Sequence, residues 1–538
     1  MKKKILCSAF YFAISIAFAL AQADLRWSEY IKSADQGGEI IGKASGKLYS
    51  VMVEDRIPYL VMYDSDDLMP SSFYELMLGN KAKPGAKVKS FSWEQVRKRR
   101  ENEKSQGFLF EKAFLQKDKI VLVYYTYERP LKTFYAQTFD LEGTPIQTPI
   151  ELDRFEEKRT AALHHFGLSQ DSSSLYLFRQ PRLKGEELDQ CIVKAWDEQL
   201  QPVHSKSFEL PYRNRDFMVY DYYLTSDYHL VTLVRIYVPR EERDAGGPAY
   251  RFKVLSFDLK AEGFIDVEMK LSTMFIRDVN LRFDEHENAY CVGTYSDDRR
   301  LANLRGTFYY KLDYRNGSIS AELKEDFSKE LVYQLNNSES KRRRNQELRA
   351  NIDLKAVHAK PDGGSFVLFE EQFVEAYTTR GPNGVFTTTY YYNNNDILIL
   401  NLDSLGEVIW QAVIPKQQVS TNDNGFYNSF FSMVYNGNLF VVTNDHIKNV
   451  QEGNFDTQIG PQFIRRTLPI VIKVTPEGTY EKTSLMVYDR KRDFRVSFKD
   501  AARISENQAV VYGYKNSRGF FQGGKSSYKV GRIAFDLH

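Results

Sequence analysis

A short β-branched and aromatic run recurs along this chain, each time just after a polar turn. The runs fall at 48–53, 120–124, 175–178, 230–234, 289–292, 366–369, 439–442 and 509–512. Each is too short for a helix and bounded by turn residues, which predicts eight central β-strands. After a variable polar segment comes a second strand that ends in Asp64, Asp140, Asp197, Asp258, Asp313, Asp403, Thr475 or Asp536. In five repeats a glycine follows closely: Gly143, Gly263, Gly317, Gly406 and Gly478. Asp bonds the backbone of a tight turn and Gly supplies its positive φ, so the pair marks a strand entering a turn.

A third strand follows the turn, as at 148–152, 207–210 and 408–414, and another precedes each central run, as at 163–168, 218–224, 279–283, 352–357 and 430–435. Four strands per repeat, A to D, predict an all-β chain folded as one β-propeller. The expected count is eight blades, with seven as the alternative because the first repeat has the weakest strand A. A pair of β-sandwich domains would also give short strands at regular spacing. No Pro/Gly/Ser linker splits the chain, however, and the last repeat lacks a strand D after 533–536. An N-terminal segment, 25–31 or 39–43, is expected to supply that strand and seal the ring. One stretch, 93–104, has helical periodicity and is expected to form an exposed charged helix.

Composition changes the picture in two ways. The chain has 73 basic and 71 acidic residues, yet its first 23 residues hold Lys2, Lys3 and Lys4 and no acid. That segment reads as a secretory signal: a basic start, an apolar stretch from Ile5 to Phe18, and small residues at Ala19, Ala21 and Ala23. The expected domains are therefore a signal at 1–23 and a propeller at 24–538, exported to the periplasm, outer surface or medium. Without the signal the bases no longer exceed the acids, which removes the global electrostatic case for nucleic-acid binding. No other run is long and apolar enough to span a membrane as a helix. Cys191 and Cys291 lie in non-adjacent repeats and are expected to be buried, not bridged.

The chain resembles the uncharacterised exported β-propellers of Gram-negative bacteria, and its Ala-Leu-Ala-Gln signal ending resembles those of the Bacteroidota. Asp403 to Trp410 resembles a quinoprotein-type blade, but the other repeats lack that tryptophan. The WD40 and kelch signatures are missing. The resemblance is architectural and implies a fold, not an activity.

Connections B–C and D–A share one face of a four-stranded propeller, here called the upper face. The B–C segments 127–133, 237–249, 296–306, 370–395, 444–467 and 516–527 are long, so function is expected on that face. They carry Tyr390, Tyr391, Tyr392, Arg465, Arg466, Phe520 and Phe521, rings and donors that suit sugars or a protein partner. The D–A junctions carry Arg213, Arg215, Arg490 and Arg492, which would favour a carboxylated or sulfated ligand. Adjacent His164 and His165 point to opposite faces of a strand and cannot easily share a metal. No metal, cofactor or phosphate-loop motif occurs. The expected function is a cofactor-free module binding a glycan or a protein. The alternatives are a polysaccharide hydrolase or lyase with funnel acids, for which Glu370, Glu371 and Asp445 are candidates, and a structural subunit of an envelope assembly.

Overall fold

The computed structural model describes residues 23–535 apart from 34–38, 55, 80–82, 93–94, 97–106, 158–162, 182–187, 285, 336–347, 350, 382, 453–465, 490 and 516–525. Eight antiparallel sheets, each built on four strands, follow one another along the chain. They span 39–75, 109–156, 163–213, 217–268, 275–326, 352–414, 430–484 and 494–535, and are numbered blades 1 to 8. The protein is an eight-bladed β-propeller. Each predicted apolar run is the B strand of one blade, and the residues at its centre, such as Val121–Tyr124 or Val367–Phe369, have no exposed surface. Strands B and C are covered by neighbouring blades on both faces, which is why they read as continuous apolar runs. Each fully buried Leu, Val or Phe there contributes about 1.5–3 kcal/mol.

Strands A of blades 1 and 2, 3 and 4, 5 and 6, 6 and 7, 7 and 8, and 8 and 1 touch each other, so they line the axis. Their side chains turn sideways into the neighbouring blades. His164 reaches Glu111 of blade 2 at 3.0 Å, while His165 stacks on Tyr222 of blade 4 at 4.3 Å, opposite directions as adjacent strand positions require.

The turn chemistry is as expected. Gly143, Gly263, Gly317, Gly406 and Gly478 all have positive φ. Asp140 Oδ1 accepts from the amides of Glu142 (2.9 Å) and Thr144 (2.8 Å), and Asp403 repeats this with Leu405 and Glu407. Where no glycine follows, Leu68 and Leu200 take up the left-handed conformation with φ of 57° and 59°, held there by complete burial. Gly478 also has a steric role, because a Cβ there would meet the Trp410 ring of blade 6 at 2.8 Å.

The ring closes through strand Ala23–Trp27, which pairs with Ser526–Phe535 from Ala23↔Phe535 to Trp27↔Gly531 and serves as strand D of blade 8. Strand Ile31–Ser33 continues the pairing. The other proposed closing segment, 39–43, is instead strand A of blade 1. The Trp27 indole lies across Gly531 and Gly513, where added Cβ atoms would stand 2.8 and 3.0 Å from it, and meets Phe494 edge-on at 5.0 Å. One side chain thus crosses all four strands of the last blade.

Two expectations need correction and one falls elsewhere. Segment 127–133 is no long loop: strands Lys119–Glu128 and Leu131–Phe139 leave only Arg129 and Pro130 between them. Segment 370–395 is a β-ribbon formed by Ser365–Arg380 and Phe386–Leu402, because its Thr, Tyr and Val residues favour extended backbone over loop. The helix expected at 93–104 lies outside the described residues except for Gln95 and Val96. Cys191 and Cys291 are free and buried, in blades 3 and 5.

The closure makes a testable claim. Trp27→Ala should destabilise the chain by about 2–4 kcal/mol, as for a large core truncation. Gly531→Ala should be costly in the native background but much less so in Trp27→Ala, with a coupling above about 0.5 kcal/mol. Urea unfolding of the four variants measures both, and additive effects would contradict the arrangement.

Candidate functional site

Strand Pro202–Arg213 of blade 3 passes through the turn Asn214–Asp216 into strand A of blade 4. Beside it, strand His229–Tyr237 of blade 4 leads into helix Arg240–Asp244 and returns as Tyr250–Asp258. The helix begins after Pro239, with Glu241 and Glu242 in its first turn and Arg243 in its last, while Arg240 and Asp244 at its two ends pair with each other. These two connections, one D–A and one B–C, wall a groove of about 870 Å³ on the upper face. Its lining includes Tyr212, Arg213, Arg215, Tyr237, Arg240 and Arg251. Sequence reasoning placed Arg213 and Arg215 at a binding face, and the groove brings them together.

Much of the groove's charge is compensated locally. Arg215 lies 3.7 Å from Asp216, Arg240 lies 3.4 Å from Asp244, and Lys253 lies 3.0 Å from Asp266. Arg251 holds both Glu242 and Glu268. Exposed pairs of this kind contribute about 0–1 kcal/mol each.

Tyr237 leads from the groove to a second cluster on the face of blade 4 that meets blade 5. There the Arg235 guanidinium sits over three rings, 5.2 Å from Tyr220 and 5.0 Å from both Tyr237 and Tyr250. It donates to the Tyr237 hydroxyl at 2.8 Å and approaches the Met218 sulfur at 3.5 Å. Met218, Tyr220 and Tyr237 are all about two-fifths exposed, at 43%, 42% and 41%. The Tyr250 hydroxyl donates to the Arg277 carbonyl of blade 5 at 3.2 Å. Burial raises the Tyr220 and Tyr250 hydroxyls above the usual phenol range, although Arg235 lowers both and Arg277 lowers Tyr250. Both rings are neutral at pH 7. Sequence reasoning missed this cluster, whose only trace was the i, i+2 spacing of Met218 with Tyr220 and Arg235 with Tyr237.

The other expected residues do not converge on the groove. Tyr390, Tyr391 and Tyr392 lie on the blade 6 ribbon, where Tyr390 is exposed and Tyr391 meets Tyr377 edge-on at 5.4 Å. Arg466 is exposed just before strand Thr467–Val474 of blade 7, and Arg492 lies just before strand Phe494–Ser505 of blade 8, across the ring from the groove. Arg492 is buried there and donates to the Thr467 carbonyl and, at 3.0 Å, to its hydroxyl. That contact turns its guanidinium inward, away from an incoming ligand. Arg465, Arg490, Phe520 and Phe521 lie outside the described residues.

The acids expected to start long loops are held in a polar core between blades 6 and 7. Glu370 is fully buried and bonded to Lys416 Nζ (2.7 Å), Asn394 Nδ2 (2.8 Å) and Ser429 Oγ (2.8 Å), with Lys355 at 3.5 Å. Burial alone would raise its carboxyl, but Lys416 and Lys355 outweigh that and hold it below the usual range. Asp445 accepts from Asn449 (2.7 Å) and the His446 amide (2.7 Å), and Glu371 from Asn351 (2.7 Å). Both oxygens of Glu370 and of Glu371 accept internal bonds, whereas Asp445 takes both of these bonds on Oδ1 and has Lys482 Nζ 3.9 Å from Oδ2. Asp396, not singled out from sequence, accepts from the Lys416 amide at 3.0 Å, and burial, with Glu371 adding to it, pushes its carboxyl up to about 6.

No protein-family model matches the chain, and no curated protein matches it. Among solved structures it is similar to polysaccharide lyase Uly1, at 9% identity, covering 95% of this chain and 92% of that one with a TM-score of 0.39. It is also similar to the WD40 domain of SCAP from fission yeast (8% identity, 95% and 98% covered, TM-score 0.35). The β-propeller domain of the Trilobed protease from Pyrococcus furiosus is a third (9% identity, 87% and 97% covered, TM-score 0.31).

Two variants test the buried core. Lys416→Met leaves Glu370 without its closest cation and should cost about 3–5 kcal/mol. Asp396 works in the other sense. Its folded value near 6 exceeds the unfolded one, so its contribution is fully present below pH ~4 and is lost as pH rises through 6. Asp396→Asn, neutral throughout, should therefore gain about 1–3 kcal/mol on the parent between pH 4 and pH 8. Denaturant melts across that range check it, and a gain that shrinks with rising pH would refute the assignment.

Proposed function

We propose that this propeller is an exported binding module that holds a glycan chain in the upper-face groove between blades 3 and 4. The observation that carries the reading is the groove itself. Its volume of about 870 Å³ lies within the range of small-ligand sites, and Tyr212 and Tyr237 stand among many side-chain N–H donors and carboxylate acceptors. Flat rings cover sugar faces, and dense donors and acceptors match hydroxyl groups. The internal bonding of both oxygens of Glu370 and of Glu371 favours binding over cleavage at those residues. Export rests on the N-terminal signal pattern.

The blade 6 ribbon supports a second reading, a protein partner. Val374, Tyr377, Val385, Phe386 and Tyr390 are each 45–68% exposed on it, a concentration of apolar surface that suits an interface.

Affinity electrophoresis and calorimetry against a polysaccharide panel, with reducing-sugar release followed in parallel, test the proposal. Binding without release is expected. Tyr237→Ala should weaken binding about tenfold, the worth of a lost stacking contact, while leaving the melting temperature close to the parent's. Unchanged affinity in both Tyr237→Ala and Arg213→Ala would remove the groove from consideration.

A further inference from the structure

We infer that the glycan is acidic and that Arg235, rather than the groove arginines, reads its charge. This rests on the glycan reading of the same face. Among the groove's cations, Arg215, Arg240, Arg251 and Lys253 each already have a carboxylate within 4 Å. An arriving anion would compete with those acids and gain little. Arg235 differs from these four: like Arg243 at the end of the groove helix it forms no ion pair among the described residues, but it is also held among ring faces. Its partners are three tyrosine rings, one hydroxyl and one thioether, all neutral. Its Nε is buried without a hydrogen-bond partner and its Nη1 bonds no described residue.

Ring faces attract a cation but do not neutralise it. The nearby carboxylate of Asp278, felt electrostatically by Tyr220 and Tyr250, is turned to its own backbone, accepting from the Val279 amide at 2.9 Å. A half-buried guanidinium with neutral walls gains most from a monoanion that makes a charge-assisted hydrogen bond in partly desolvated surroundings. The exposed Met218, Tyr220 and Tyr237 around it can bear against the ring that carries the charge. The fitting ligand is thus a pyranose with one anionic group, a uronate carboxylate or a sulfate ester.

Calorimetry with four probes separates the possibilities: polygalacturonate, its carboxyl-reduced neutral product, dextran sulfate and dextran. The parent should bind one acidic probe about tenfold or more tighter than its neutral counterpart, the worth of one charge-assisted hydrogen bond. Arg235→Gln should abolish that preference while keeping the neutral affinity, and Arg235→Lys should retain part of it. A preference for polygalacturonate identifies a carboxylate, and one for dextran sulfate identifies a sulfate; either supports the inference. Equal binding of acidic and neutral probes overturns it and leaves the glycan reading standing. A preference that survives in Arg235→Gln also overturns it and moves the charge reader to the groove rim. Failure to bind any probe, charged or neutral, overturns both. Because the neutral probes report groove integrity, a misfolded Arg235→Gln chain is recognised by loss of their binding and by its melting curve, and Arg235→Lys then decides.

Discussion

The main-chain pairing of Ala23–Trp27 with the far end of the chain is the constraint from which the rest of the structure follows. Without that strand, blade 8 would end in an open edge at Ser526–Phe535, a row of free N–H and C=O groups. With it, the first and last blades become neighbours, and the A strands are forced into contact around one axis. Leu25 and Trp27 pack into the apolar cluster shared with blade 7, and Ile31 into the one shared with blade 1, so the closing segment seals both flanks of blade 8. Gly513 and Gly531 matter for the same reason: their missing side chains make the channel through which Trp27 reaches Phe494.

A closed ring divides labour between its faces. On the lower face the C–D turns are tight, and several dovetail with the preceding blade, as Gly478 does with Trp410 and Gly406 with Tyr309, while Gly263 faces open space. At Gly406 and Gly478 an added side chain would strike a ring, so those turns have little freedom to vary. On the upper face the connections have lengthened into a helix in blade 4, a ribbon in blade 6 and a helix in blade 7. Recognition belongs where added chain length does not disturb blade packing.

How far the sequence could be read follows from the range of each interaction. The eight B strands, the Asp and Gly turns and the closing strand were legible because each depends on neighbours a few residues away or on a pattern repeated eight times. Leu68 and Leu200 show the limit, since they adopt a glycine conformation that no local signal announces. Thr-rich segment 370–395 was mistaken for loop because a ribbon exposed on both faces has no apolar alternation to betray it. The Arg235 cluster was invisible for a different reason. Tyr220, Arg235, Tyr237 and Tyr250 come from three strands, and their meeting depends on cross-strand register such as Met218↔Arg235 and Tyr237↔Tyr250. The D–A arginines were legible as a trend but not in their orientation, and Arg492 turned inward because Thr467 offers two acceptors.

Glu370 and Arg235 show how the same electrostatics can serve structure or recognition. Both are charges partly or wholly withdrawn from water, which is costly unless partners replace the lost solvation. Around Glu370 the fold supplies a cation at 2.7 Å and two further donors, so the charge is spent internally and locks blade 6 to the segment leading into blade 7. Around Arg235 it supplies only neutral groups, which hold the guanidinium in place without balancing it. A protein that needed Arg235 solely for stability would gain by placing an acid beside it, as it does for Arg215 and Arg251. Leaving Arg235 among neutral partners, beside a groove and at the open face, keeps its charge available to an anion from outside.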